Sequence, residues 1–228
     1  MKAFDWRFVL LLFLNATCCV GQNFSLVGKF KNECNIDYVN LYQYNNTFSR
    51  LLIEKIHVNN AYFEIKKNLT EINTFYLENP VDGKSILFVW DGNINININC
   101  LDFDKSQIIN SPYTDELIRT NNRIQLLFVN PVKKLDTLIK QCNAKYNSIV
   151  VDECLKLRAS RDSLIDVQKN KLIEYQLDYV KEHPSSFISL FYLTKTGLET
   201  SEANYINAFK YLSENLKKHS RSAVYKND

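Results

Sequence analysis

The clearest pattern in the chain is a strict alternation of isoleucine and asparagine over residues 94–99. A period of two places successive side chains on opposite faces of a β-strand, so the isoleucines should face a core and the asparagines solvent. Residues 86–90, just before it, are all apolar, which predicts a strand buried on both faces and central in its sheet. Asp91-Gly92 between the two segments is typical of a tight hairpin turn in which glycine takes positive φ.

Shorter segments of the same kind occur upstream and once downstream, at residues 107–109. Turn-forming residues, mostly asparagine, separate them. The upstream strands are predicted over residues 24–31, 37–44, 51–58, 61–66 and 74–78. About seven or eight short strands at this spacing favour an antiparallel β-sandwich or a partly open barrel.

After Asn110 the apolar residues recur at helical spacing instead. Pro131 can open a second helix. Residues 148–182 then form one long helical pattern with a polar middle, which at 1.5 Å per residue would extend about 50 Å. His183-Pro184 should end it, because the residue before proline avoids helical backbone. Shorter helices are predicted to follow, one capped by Ser185 or Ser186 and closed by Gly197, and a last one starting at Thr200 or Ser201.

The change of period near Asn110 predicts an α+β protein with two domains. The first is a β-sandwich domain of residues 22–111, and the second is a helical domain of residues 112–228 with one long helix. Segregation of strands and helices along the chain is typical of this class.

Residues 1–21 have the form of a secretory signal peptide, since basic residues precede a short apolar segment that ends in small residues. We expect cleavage after Gly21 and export to the periplasm. The alternative is a lipid anchor at Cys18 or Cys19, although the preceding residues fit a lipidation signal poorly. No later segment is long and apolar enough to predict a transmembrane helix.

Charge excludes one large class of partner. The sequence has 28 basic and 25 acidic residues, and removal of residues 1–21 leaves 26 and 24, a net charge of +2. Nucleic-acid binding normally requires a concentrated basic face. The only basic cluster lies close to the C-terminus, so we expect no nucleic-acid partner.

Four cysteines follow the signal peptide: Cys34, Cys100, Cys142 and Cys154. An oxidising compartment favours disulfides, and three pairings are open. If the helices on either side of residue 147 form a hairpin, Cys142 and Cys154 stand at matching heights, which favours their pairing. Cys34 with Cys100 is the weaker candidate, because the sequence does not show that their Cα atoms approach within about 7 Å.

No other residues form a convincing catalytic, cofactor or metal site. The three histidines lack neighbours at ligand spacing, so we expect no metal and no cofactor. Ser189 lies in an apolar helix without a nearby histidine and is predicted to be a packing residue. Tyr38, Tyr42 and Tyr44 lie on one face of a predicted strand and are candidates for an exposed binding surface.

The order of these segments resembles a known architecture. FSLVGKF, HVNNAYFEIKKN, ILFVWDGNININI, IINSPYTDEL and HPSSFISLFYL, in this order after a signal peptide, are similar to the accessory region of exported thiol:disulfide interchange proteins (TlpA/redoxin-like) of the Bacteroidota. In that family a β-domain of unknown function and helices precede a thioredoxin-like domain. This chain has no Cys-x-x-Cys, and it ends where that redox domain would begin. The resemblance therefore does not imply redox activity.

These observations favour a non-enzymatic exported module for interaction or scaffolding. Its expected partner is a periplasmic thioredoxin-like protein or another envelope protein. The alternative is an accessory redox component that exchanges disulfides with a thioredoxin-like partner through Cys142 and Cys154. The two hypotheses predict different ease of reduction for a Cys142–Cys154 disulfide.

Overall fold

A computed structural model describes residues 22–31, 36–44, 49–146, 152–197 and 199–220 of the chain. The predicted signal peptide and Cys34 lie outside these residues. Eight strands are described, and their bounds are β1 Gln22–Lys31, β2 Tyr38–Tyr44, β3 Arg50–His57, β4 Tyr62–Leu69, β5 Asn73–Glu78, β6 Ser85–Trp90, β7 Ile94–Asn99 and β8 Gln107–Ile109. Each predicted strand is therefore present, with ends displaced by a few residues at most.

The strands form two four-stranded sheets, of order β4-β1-β7-β8 and β3-β2-β5-β6. The described pairings are antiparallel except that between β1 and β7, in which Leu26 pairs with Ile94 and Phe30 with Ile98. Together with the helices that follow, the two sheets confirm the predicted α+β class. The parallel pair is possible because a long stretch of chain separates β1 from β7.

The predicted hairpin of β6 and β7 is wrong, because the two strands belong to different sheets. Asp91-Gly92 links one sheet to the other, and Gly92 is not among the described residues with positive φ. β6 is also an edge strand rather than a central one. Its apolar sequence is nevertheless explained by burial, since Phe88, Val89 and Trp90 are all fully buried.

The alternation in β7 predicts its burial correctly. Ile94, Ile96 and Ile98 are at most 1% exposed, while the asparagines between them are partly exposed. On β5 and β6, Phe75 packs against Phe88 and Trp90 with ring centroids 5.9 and 5.3 Å apart. Such aromatic contacts add to the stabilisation that burial provides.

Six α-helices are described, with bounds α1 Pro112–Ile124, α2 Asn130–Lys145, α3 Asp152–Glu182, α4 Phe187–Thr196, α5 Glu202–Phe209 and α6 Glu214–Lys217. The Ser111 hydroxyl caps α1 by accepting a hydrogen bond from the Thr114 amide at 3.2 Å. A π-helical segment, Gln125–Val129, joins α1 to α2, so Pro131 does not interrupt the helical backbone. Proline has no amide hydrogen to donate, and a π-helical turn is one way a helix accommodates such a position.

The long helix α3 is buried only near its two ends. Its buried residues are Cys154 close to the start and Gln176, Leu177, Tyr179 and Val180 close to the end. No side chain between residues 155 and 175 is buried. The polar middle of the sequence pattern therefore corresponds to a solvated part of the helix.

Contacts between Cα atoms divide the chain into two compact units. The β unit contains the described residues up to Leu41 together with Glu54–Asn110, and the helical unit contains Tyr42–Ile53 together with the described residues from Ser111 onward. Whether residues 22–111 and 112–228 fold independently, as the sequence predicts, stays a prediction. None of the helices described is long and apolar enough to cross a bilayer.

Candidate functional site

Cys142 and Cys154 are joined by a disulfide between α2 and α3, with Cα atoms 5.8 Å apart. Both are buried, at 7% and 2% exposure. A disulfide is consistent with an oxidising compartment. Cys100 is disulfide-bonded as well, and its partner lies outside the described residues, as does the predicted partner Cys34.

The tyrosines proposed as an exposed surface are each partly buried. The ammonium nitrogen of Lys55 lies 3.4 Å from the ring centroid of Tyr38, and the Tyr44 ring lies 6.2 Å from that of Phe191. Ser189 is fully buried, and its hydroxyl donates to the His183 carbonyl at 2.6 Å. These residues have packing or hydrogen-bonding roles within the fold.

A cleft of about 750 Å³ lies in the helical unit. One face of α1 lines it with Glu116, Arg119, Thr120 and Arg123, and one face of α3 lines it with Tyr175, Asp178, Tyr179 and Glu182. Both sets have the spacing i, i+3, i+4, i+7, which places four side chains along one helix face. His183 and the three residues after it complete the lining.

Glu116 connects three parts of this cleft. Its carboxylate accepts hydrogen bonds from the Tyr179 hydroxyl on α3 and, at 2.6 Å, from the Ser186 hydroxyl. The Ser186 oxygen in turn caps α4 by accepting from the Ile188 amide at 3.0 Å. Glu116 therefore fixes the positions of α1, α3 and the start of α4 relative to one another.

Tyr179 is held firmly in this arrangement. The His183 ring stacks on it at 4.1 Å with an interplanar angle of 15°, and the Tyr192 ring meets it edge to face at 5.4 Å. Burial, and then the hydrogen bond to the Glu116 carboxylate, raise the pKa of Tyr179 above its usual value. Its hydroxyl consequently remains a proton donor to Glu116 at any physiological pH.

Burial raises the pKa of Tyr192 to about 12. The neighbouring Thr120 hydroxyl, which donates to the main-chain carbonyls of Glu116 and Leu117, acts in the opposite direction and lowers this pKa. No well-formed hydrogen bond to the Tyr192 hydroxyl is present among the described residues. A buried phenol without a strong partner is expected to stay neutral.

The remaining charges of the cleft differ in how far they are neutralised. Asp178 accepts a hydrogen bond from Lys181 at 2.7 Å. The Arg123 guanidinium lies 5.7 Å from the Tyr175 ring centroid. Arg119 and Glu182 have no ion pair within the described parts of the chain, and both are exposed. The cleft thus presents charges of both signs that no side chain of the described structure neutralises.

Sequence reasoning missed this site. The spacing of its residues on each helix was visible, but a charged helix face usually marks only solvent exposure. What makes it a cleft is the approach of α1 and α3, whose contacting residues Glu116 and Tyr179 are 63 positions apart. No local pattern encodes that pairing.

Among the described residues no group of three His, Cys, Asp or Glu side chains is placed to hold a metal ion. Comparison with known proteins found no matching family model, no similar curated protein and no similar solved structure.

Proposed function

We propose that this chain is a non-enzymatic exported interaction or scaffold module, and that it binds its partner at the cleft between α1 and α3. The observation that carries the proposal is the presence of the exposed Arg119 and Glu182 in a concave site, without ion-pair partners among the described residues. Clefts with a few convergent polar groups and aromatic side chains are the usual form of binding sites.

Binding is favoured over reaction by the way the cleft uses its hydroxyl groups. The Ser186 oxygen both caps α4 and donates to Glu116, so it is not free to act as a nucleophile. The raised pKa of Tyr179 keeps its phenol protonated, and a protonated phenol is a poor base and nucleophile. The resemblance found in the sequence suggests an envelope protein, such as a thioredoxin-like protein, as the partner.

Site-specific photocrosslinking in the producing cells tests this proposal. A photoreactive residue replaces the exposed Ser185 in the cleft lining, and the control replaces the exposed Ser160 in the solvated middle of α3. We expect a defined adduct from position 185 only, which is lost when Arg119→Gln and Glu182→Gln are combined. Equal adducts at both positions, or an adduct that survives the loss of both charges, would contradict a cleft-mediated interaction.

The redox alternative has one observation in its favour, the disulfide between Cys142 and Cys154. Against it, both cysteines are buried, whereas exchange requires access of an attacking thiolate to one sulfur. Thiol labelling of the native protein in a graded redox buffer distinguishes the two roles. A structural bond stays closed until reduction is strong, and labelling near the poise of the compartment would instead support exchange.

A further inference from the structure

The cleft has a direction, because α1 and α3 run antiparallel along it. Glu116 near the start of α1 contacts Tyr179, while Arg123 near the end of α1 lies against Tyr175, which is earlier on α3. In one direction along the cleft, the residue numbers of α1 therefore increase while those of α3 decrease. The position of each charged side chain along the cleft can therefore be read from its residue number.

Charge is separated along that direction. Arg123 lies at the end marked by Tyr175, and Glu182 lies at the opposite end, beside residues 183–186; on α1, Arg119 lies between Arg123 and Glu116. Between them, Asp178 is neutralised by Lys181. One end of the cleft is thus cationic and the other acidic.

The distance between the two ends limits the ligand. Arg123 lies beside Tyr175, and seven residues separate Tyr175 from Glu182, which corresponds to about 10 Å along the helix axis at 1.5 Å per residue. An extended peptide covers about 3.3–3.6 Å per residue, so three residues cover nearly the same distance. A free amino group at one end and a free carboxylate at the other would match the two charged ends.

We propose that the cleft between α1 and α3 binds short peptides of about three residues with both termini free, the length following from the extended-chain spacing. The peptide carboxylate contacts Arg119 and Arg123, and its ammonium group contacts Glu182, with Glu116 adding negative charge. Arginine suits the carboxylate because its planar guanidinium donates two parallel hydrogen bonds. The inference rests on the proposed binding role of the cleft and adds a free peptide, beside the protein partner, as a ligand of the same site.

A polar main chain also fits the middle of the cleft. Asp178 on α3 and Thr120 on α1 both line the cleft. Because the charges of such a peptide lie at its two ends, recognition should depend on the two termini more than on sequence. We accordingly expect weak affinity and little discrimination among tripeptides of similar size.

Titration of the full chain with trialanine, followed by two-dimensional amide NMR, tests the inference. We expect shifts confined to α1, the end of α3 and residues 183–186. N-acetylated trialanine and trialanine amide should each bind more weakly, by up to about five-fold, the upper limit for loss of one exposed ion pair. Binding that is insensitive to both blocking groups, shifts elsewhere in the chain, or no binding at all would overturn it.

Charge-neutralising variants assign each terminus. Glu182→Gln should weaken trialanine binding and abolish the further loss caused by acetylation. Arg119→Gln combined with Arg123→Gln should weaken trialanine binding and abolish the further loss caused by amidation. Both expectations follow because the effects of two groups that interact are not additive. Lys156→Gln and Asp166→Asn are matched controls on the exposed part of α3 and should change nothing. Competition by inorganic phosphate that is as strong as competition by trialanine would indicate an anion site alone and refute the dipolar ligand. Loss of peptide binding with persistent crosslinking at position 185 would refute this inference but leave the proposed function standing.

Discussion

Gly28 on β1 faces Phe63 on β4 so closely that a Cβ atom at position 28 would lie 2.0 Å from Cε1 of the ring. The two residues are direct partners in the antiparallel ladder. Phe63 is 3% exposed, and its ring packs edge to face against Phe30 at 6.2 Å. The ring therefore has little room to withdraw, and glycine is required here for space.

Gly28→Ala should accordingly destabilise the protein by about 1–3 kcal/mol, the usual cost of overpacking a core. Denaturant unfolding monitored by circular dichroism measures the loss. Adding Phe63→Leu should recover part of it, since the smaller side chain relieves the contact. Gly92→Ala is the matched control, because a Cβ there meets nothing within 4 Å and the backbone is not left-handed; an equal loss in that variant would refute the steric explanation.

The turn between β3 and β4 contains a residue in an unfavourable conformation. Asn60 and Ala61 have φ of 52° and 57°, and the amide and carbonyl groups of Asn59 and Tyr62 exchange hydrogen bonds of 2.9 and 3.0 Å across them. A primed two-residue turn of this kind favours asparagine followed by glycine. Alanine at the second position adopts left-handed backbone at a cost of about 1 kcal/mol or more.

Ala61→Gly should therefore stabilise the protein by about 1 kcal/mol, which in a chain of this size raises the Tm by about 2–4 °C. The control is Ala159→Gly in the exposed part of α3. It should destabilise the protein by about 1 kcal/mol, because glycine is unfavourable in the interior of a helix. Thermal unfolding of both variants checks the pair. A lower Tm for Ala61→Gly would show that the left-handed backbone is not strained.

The strands and their buried faces were predictable from the sequence because alternation is a local signal. Ile94, Ile96 and Ile98 are buried as their spacing predicts. The assignment of β6 and β7 to different sheets was not predictable, because Asp91-Gly92 suits a link between sheets as well as a hairpin. The local sequence determines that the chain turns at this point. Hydrogen bonding with strands distant in sequence determines which sheet each of the two strands joins.

The cleft illustrates the same limit for function. Ser186 was a candidate helix cap in the sequence, and it does cap α4. Its second hydrogen bond, to Glu116 70 residues earlier, depends on tertiary packing. The cysteine pair was accessible to sequence reasoning because Cys142 and Cys154 are only 12 residues apart, so a helical hairpin suffices to bring them together.

Alkaline pH should weaken the helical unit through Tyr192. Its pKa is raised from 10.0 to about 12 in the folded protein, so the folded state retains the proton over a range in which the unfolded chain has lost it. Stability is then fully present below pH 10 and falls as the pH rises toward 12. The full effect is about 3 kcal/mol, at 1.36 kcal/mol for each pKa unit.

Denaturant unfolding at a series of pH values, with absorbance near 295 nm reporting tyrosinate, measures this dependence. Tyr192→Phe should make the decline between pH 10 and 12 less steep, since it removes one titrating hydroxyl, while Tyr179, whose pKa is also raised, still contributes. Tyr211→Phe is the control, because Tyr211 is 53% exposed. An unchanged slope in Tyr192→Phe would show that the phenol titrates normally in the folded state.

Trp90 ends the edge strand β6 and is fully buried. Its ring meets Phe75 edge to face at 5.3 Å and lies 6.3 Å from Phe88. The indole N–H has no hydrogen-bond partner among the described residues. The residue therefore contributes through packing, and its one polar group reduces that contribution because an unsatisfied buried donor costs about 1–3 kcal/mol.

Trp90→Ala should cost about 3–5 kcal/mol, as for other large rings removed from cores, whereas Trp90→Phe should cost clearly less because it keeps a ring and deletes the unsatisfied donor. Fluorescence of the native protein without residues 1–21, in which Trp90 is the only tryptophan, should be blue-shifted relative to the unfolded chain. Emission like that of a solvated indole, together with an unchanged Tm in Trp90→Ala, would mean that the end of β6 is exposed in solution. The edge of that sheet would then compete with the cleft as the place where a partner binds, since an uncovered apolar edge strand is a ready template for pairing with another chain.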